Sequence, residues 1–226
     1  MFLNMRLRQE TLQRFYVIAP KIIFWDFDGV IKDSVNVKAW AFMNLFDKCN
    51  NEIKERIRLH HESNGGMSRY DKIPIYLKYM NLKPTKKLIN RYSEKFSSLV
   101  VEKVITSPWV PGVLEYLKAK KEGQLYFVTS ATPTDELIYI LKELNILSIF
   151  DDVFGSPITK AKAIENCLKK YQEDPKFCLM YGDAKQDFIA AQENDIPFIF
   201  RQHDSNQEFK KQYKGISIKD FHEAPR

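Results

Sequence analysis

The sequence predicts an α/β fold: a Rossmann-like parallel sheet core with helices on both faces and an inserted all-α cap domain. Three observations predict it. Short apolar runs of strand length alternate with segments of helical periodicity, the runs are apolar throughout rather than at every second residue, and one interval between runs far exceeds the others. Strands apolar on both sides are covered on both faces, as in parallel sheets built from strand–helix–strand units.

Residues 1–20 form an N-terminal extension, starting MFLNMRLRQE. It turns polar and charged almost at once and lacks the apolar stretch of a secretory signal, so a cytoplasmic location is expected. Ile22–Trp25 is the first strand, and no second strand comes before Leu125–Val128. An ordinary connection between elements is a few residues long, so a separate domain lies between them. Asn36–Lys48, Glu52–His61, Ser68–Met80 and Thr85–Lys103 all repeat apolar residues at helical spacing, as in Ile53, Ile57 and His60, or Leu88, Tyr92, Phe96 and Leu99. A helical insert is therefore expected over 36–103, with the core domain made of 21–35 and 104–226. Beyond it, helical patterns at Val113–Lys121, Thr134–Leu144, Ala161–Tyr171 and Lys185–Glu193 accompany strands at Phe177–Tyr181 and Pro197–Phe200 and a weaker one at Ile216–Ile218.

Composition excludes several classes. The chain has 226 residues, 44% hydrophobic and 28% charged, which is an ordinary globular balance. Its longest uncharged stretch, Gly123–Thr134, is 12 residues, short of the roughly 20 apolar residues of a membrane span. Cys49, Cys167 and Cys178 are odd in number and widely spaced, and read as small buried apolar residues. The four histidines have no metal-ligand spacing, since the neighbours His60 and His61 point in different directions on a helix. Net charge is +6, yet Lys48–Lys103 alone holds 13 basic and 6 acidic residues, which leaves the rest of the chain slightly acidic. A nucleic-acid-binding module could use such a segment, but its basic residues are interleaved with acids and no base-reading motif is present. No nucleic-acid partner is expected, and attraction of a small anionic substrate is.

Ligands of open parallel sheets bind at the carboxyl ends of the strands. The first strand runs IIFWDFDGV and delivers Asp26 and Asp28 at its end, although aspartate is disfavoured in strands and two of them repel. The second ends LYFVTS, placing Thr129 and Ser130 at the sheet edge, where they also serve as ordinary helix-entry residues. In GSPITKAKAI, Lys160 opens a helix whose positive macrodipole end is unfavourable for a cation unless an anion is near. Lys162, two residues on, faces elsewhere. The run FCLMYGDAKQDFIAA delivers Asp183, with Asp187 four residues later on the same helix face. Three or four carboxylates at one edge call for a hard divalent cation, and oxygen-only ligands point to Mg²⁺.

With no Ser-His-Asp set and no cysteine in place, the available nucleophile is a carboxylate, which can attack phosphorus and give an aspartyl-phosphate that water hydrolyses. Mg²⁺, a lysine and a hydroxyl would offset the repulsion between the two anions. DFDGVIKDS, FVTSATP, GSPITKAKAI and YGDAKQDFIAA, in this order at strand ends, resemble the four motifs of the haloacid dehalogenase-like (HAD) superfamily, specifically its phosphatases with a helical cap after the first motif. The resemblance covers about Lys21 to Arg201 and includes the approach PWVPGVLEYLKAKKEG.

The resemblance implies Asp26 as nucleophile and metal ligand. Asp28 would be general acid/base and ligate Mg²⁺ through its backbone carbonyl. Thr129 would bind the phosphoryl group, or Ser130 if the alignment slips by one. Lys160 would stabilise nucleophile and phosphate, with Thr159 or Lys162 sharing that role. Asp183 would ligate Mg²⁺, supported by Asp187 directly or through water. Family dehalogenases lack an acid at the Asp28 position, so Asp28 argues for phosphate esters. In the insert, NGGMSRYDK joins the Gly65-Gly66 pair to Arg69 and Lys72, either as a loop that grips an anionic or hydroxyl-rich leaving group or as a helix–helix turn beside a solvated Arg69. The expected substrate is a small phosphorylated metabolite such as a sugar phosphate or phosphoglycolate. A phosphosugar mutase using the same motifs is the alternative.

Overall fold

The computed structural model describes residues 20–225; the extension expected over 1–20 lies outside the described residues except for Pro20. Six strands form one parallel sheet: β1 (Ile22–Trp25), β2 (Leu125–Pro133), β3 (Asp152–Ser156), β4 (Cys178–Gly182), β5 (Phe198–Arg201) and β6 (Ser217–Ile218). Their order is β3-β2-β1-β4-β5-β6. β1 therefore sits between β2 and β4, with Ile22 opposite Leu125 on one side and Cys178 on the other. Every residue of β1, β4 and β5 is buried, as their apolar runs require, including Arg201 at the end of β5.

Alternation along the strands sends successive residues to opposite faces. Ile23 and Trp25 join Tyr126, Val128, Leu179 and Tyr181 in one core. Ile22 and Phe24 join Phe127, Cys178, Met180 and Phe200 in the other. Trp25 stacks on Tyr181 at 4.9 Å between ring centroids. Cys167 and Cys178 are buried as small apolar residues, and Cys49 is half-buried.

The strand β3 is absent from the sequence expectation. It is an edge strand with only Val153 and Phe154 as adjacent apolar residues, and Asp152 and Gly155 disguise it. Beside it β2 runs on to Pro133, past the expected end at Val128, because the ladder shifts register between Thr129 and Pro133. That irregularity bends the backbone of Ser130–Thr132 at the sheet edge.

Between β1 and β2 lie α1 (Val35–Leu45), α2 (Asn51–Ser63), α3 (Arg69–Tyr79), α4 (Lys86–Thr106) and α5 (Val113–Lys118). Asn50, Ser68 and Thr85 cap α2, α3 and α4 by accepting from backbone N–H groups. Phe42, Phe46, Ile57, Tyr76, Leu77, Phe96 and Val100 interdigitate between α1 to α4, and this packing is continuous with one sheet core. The two chain crossings between insert and sheet are zipped together: Asp33 N donates to Pro108 O and Val110 N to Ile31 O. The buried Lys32 Nζ donates to Ile105 O and lies 4.2 Å from the Trp109 ring centroid. After β2 come α6 (Thr134–Glu143), α7 (Lys160–Tyr171), α8 (Lys185–Glu193) and α9 (Gln207–Gln212). Among the described residues, no helix is long and apolar enough to cross a membrane.

Phe96 joins the insert's aromatic packing at 4.3 Å from Phe42 and underlies Arg69. Phe96→Ala leaves a cavity there and is expected to cost about 3–5 kcal/mol of stability, measured by urea unfolding.

Candidate active site

The strand β1 ends by donating Asp26 N–H to Tyr181 O, which fixes the Asp26 backbone beside β4. The chain then turns at once: Val30, Ile31 and Lys32 N–H all point to Phe27 O, and Gly29 adopts φ +81°. A side chain at Gly29 would meet Asp183 Oδ2 at 2.3 Å, so glycine is required there by conformation and by space. β4 ends at Gly182, where an added Cβ would lie 2.3 Å from that of Asp187. These close approaches bring Asp26, Asp183 and Asp187 together: one carboxylate oxygen from each lies within 4.8 Å of the others, and all three residues are buried.

Asp187 organises the cluster. Its Oδ2 accepts the N–H groups of Asp183 (3.1 Å) and Ala184 (2.9 Å) at the start of α8, a favourable place for an anion. Its Oδ1 accepts from Lys160 Nζ, and the same ammonium lies 2.7 Å from Asp26 Oδ1. Lys160 is the first residue of α7, as expected, and two carboxylates offset the adverse helix dipole. Burial alone would lower the Lys160 pKa, but Asp187 and then Asp26 outweigh it and raise it. Lys162 points away and pairs with Glu165 in solvent. Thr159 caps α7 by accepting from Lys162 N.

One lysine does not balance this many acids. Burial, then Asp187, with Lys160 opposing, pushes Asp26 well above the ordinary carboxylate range. Asp183 is pushed up to about 7 by burial and then Asp187. A buried, all-oxygen donor set with excess negative charge fits a hard divalent cation, which would reverse both shifts.

Asp28 stands at the cavity but is held by different partners. Ser34 Oγ donates to its Oδ1 at 2.7 Å, and Lys38 Nζ and Thr132 Oγ1 approach its Oδ2. Lys38 also donates to Thr132 at 2.8 Å, tying α1 of the insert to the edge of β2. Ser130 lines the cavity, its Oγ accepting from Thr132 N. Thr129 is buried, and its Oγ1 finds no partner among the described residues, an uncommon state for a buried hydroxyl.

Arg69 and Lys72 do not form one loop with Gly65-Gly66. They lie in the first turn of α3, while the glycine pair turns against Ala184 and Gln186 of α8. Both line the cavity. Arg69 is committed: its two terminal nitrogens grip the Glu136 carboxylate on α6, and Nη1 also donates to Ser97. The fork ties the insert to the sheet domain. Lys72 Nζ instead meets His61 Nδ1 at 3.0 Å.

Sequence reasoning missed Ser34, Lys38, Thr132 and His203. His203 Nδ1 accepts from Ser205 N, so the neutral ring carries its proton on Nε2 and donates to Asp183 Oδ2 at 2.8 Å. Burial, then Arg201, pulls the His203 pKa down to about 4. Asn206 Nδ2 donates to Asp183 O at 2.8 Å. Both residues follow β5, so the strand-end rule extended to one more strand would have found them.

A sequence model described as haloacid dehalogenase-like hydrolase matches residues 22–200. No curated protein matches this sequence. Solved structures share the fold. A predicted phosphoglycolate phosphatase from Haemophilus somnus 129pt has 19% identity and TM-score 0.69, over 89% of this chain and 94% of that one. The β-phosphoglucomutase of Clostridium difficile has 18% identity and TM-score 0.69, over 89% and 92%. CbbY from Rhodobacter sphaeroides, in complex with phosphate, has 15% identity and TM-score 0.72, over 90% and 96%.

The raised carboxyls make protons compete with a cation. Mg²⁺ binding followed by calorimetry is expected to weaken as pH falls through about 7, the value for Asp183, and to release protons in buffers of differing ionisation enthalpy.

Proposed function

Since the chain belongs to the haloacid dehalogenase-like hydrolases, we propose that it is a Mg²⁺-dependent phosphatase acting on a small phosphate monoester through an aspartyl-phosphate on Asp26. The observation that carries this reading is the buried Asp26 carboxylate, paired with Lys160 at 2.7 Å beside Asp183 and Asp187. A carboxylate so placed is desolvated and oriented, and it stands at the carboxyl end of the central strand, where ligands of such sheets bind.

Asp26 attacks phosphorus, and the ester oxygen departs with a proton from Asp28. Asp28 then takes a proton from the water that attacks the aspartyl-phosphate, releasing inorganic phosphate and restoring Asp26. The contacts of Asp28 with Ser34, Lys38 and Thr132 hold it for both transfers. Lys160 offsets charge on Asp26 and the phosphoryl oxygens. Ser130, at the cavity wall, is the donor for those oxygens, whereas Thr129 is fully buried and does not line the cavity. Asp26, Asp183 and the Asp28 carbonyl would hold Mg²⁺, with Asp187 in support. The ion supplies positive charge against the developing transition state. The helical insert closes over the cavity and excludes water, with Arg69–Glu136 as its tie to the sheet domain.

A small phosphorylated metabolite as substrate agrees with the fold neighbours named for phosphoglycolate and with a second CbbY structure holding xylulose-(1,5)bisphosphate. A phosphate-release screen over such metabolites with Mg²⁺ is expected to find activity. Asp26→Asn should abolish it, and Asp28→Asn should lower kcat by about 10²–10⁴-fold. Activity surviving Asp26→Asn contradicts the mechanism, and isomerised sugar phosphate in place of inorganic phosphate identifies a mutase.

A further inference from the structure

Of the 13 basic residues between Lys48 and Lys103, only Arg69 and Lys72 are buried, and both line the cavity that contains Asp26. Each other cation at this cavity has a carboxylate: Lys160 has Asp26 and Asp187, Lys38 has Asp28, and Arg69 has Glu136. Lys72, 2% exposed, has no carboxylate within ion-pair distance among the described residues. Its Nζ contacts His61 Nδ1 at 3.0 Å and lies 5.7 Å from the Phe42 ring centroid. His61 is a neutral acceptor, because burial, then Lys72, Lys38 and His60, hold its pKa down to about 3.

Burying an ammonium against a neutral ring and an aromatic face is unfavourable without a counter-ion. Burial, then Lys38, pulls the Lys72 pKa down to about 7, so an arriving anion would restore its charge. Lys160 reaches the cavity from the start of α7, against Asp26 at the sheet edge, and Lys72 reaches it from the first turn of α3 in the insert.

We propose that Lys72, steadied by His61, binds a second anionic group on the alcohol portion of the substrate, so that the enzyme selects phosphate monoesters carrying a further carboxylate or phosphate. This inference rests on the phosphatase reading of the site. The phosphoryl group to be transferred lies against Asp26 and Lys160, and the second anion meets Lys72, the one cation lining this cavity that has no carboxylate partner among the described residues.

Three matched pairs test it: phosphoglycolate against ethyl phosphate, 3-phosphoglycerate against glycerol 3-phosphate, and fructose 1,6-bisphosphate against fructose 6-phosphate. With Mg²⁺, the wild-type protein is expected to favour the two-anion member of at least one pair by about tenfold or more in kcat/KM. The first two pairs report a carboxylate and the third a phosphate. Lys72→Met should bring that ratio close to unity, chiefly through KM, and Lys72→Arg should keep part of it. A lysine with only a structural role would change Tm in Lys72→Met and leave the ratio intact, which overturns the proposal. Equal kcat/KM within all three wild-type pairs overturns it too, and needs no variant to fold. If none of the six compounds releases phosphate, the phosphatase reading fails by itself. Calorimetric titration of the same six into wild-type and Lys72→Met protein then decides the question: tighter two-anion binding that Lys72→Met removes supports the role of Lys72, and equal affinities refute it.

Discussion

The ammonium of Lys160, shared between Asp26 and Asp187, is the interaction on which the rest of the site depends. Three buried carboxylates within ligand distance of one another would otherwise repel or take up protons, and the raised pKa values of Asp26 and Asp183 show that one lysine only partly prevents this. The fold is arranged to sustain the crowding. β1 lies between β2 and β4, so Asp26 and Asp183 leave neighbouring strands side by side. Glycines at 29 and 182 remove the Cβ atoms that would hold the carboxylates apart. The helix starts of α7 and α8 bring a cation and an anion into one contact, so each compensates the other.

Much of this was legible in the sequence, because the central strands are apolar on both faces and the polar residues that break them stand at functional ends. IIFW followed by DFD, and CLMYG followed by D, locate Asp26, Asp28 and Asp183 by the same rule that identifies the strands. What stayed hidden depends on long-range packing. The edge strand β3 carries too little apolar sequence to register alone. Ser34, Lys38 and Thr132 converge on Asp28 from α1, the turn before it and the bulge of β2, and no spacing along the chain encodes that meeting. Arg69 reads in sequence as a cation available to grip the substrate, and only the placement of α6 reveals that Glu136 pairs with it.

The charge distribution changes meaning in three dimensions. The basic segment between Lys48 and Lys103 suggested broad attraction of anions, but most of its cations face solvent, and Arg58 is balanced by Glu55 and Glu62. Exposed charge of this kind acts weakly and is screened by salt. The cations that matter at the cavity are few and wholly or partly buried, and each is either matched by a carboxylate or, at Lys72, left to a neutral histidine. Specificity on this view resides in one unmatched charge, while the sheet edge supplies the chemistry.

The central claim is that Asp26 attacks phosphorus and carries the phosphoryl group. Rapid acid quench during turnover of an active phosphate ester with Mg²⁺, followed by peptide mass spectrometry, tests it most directly. The account predicts a phosphorylated aspartate at position 26 that appears early, decays as substrate is consumed and is labile to hydroxylamine. Steady phosphate release with Asp26 unmodified at every time point, or the phosphoryl group found on another residue, would contradict it.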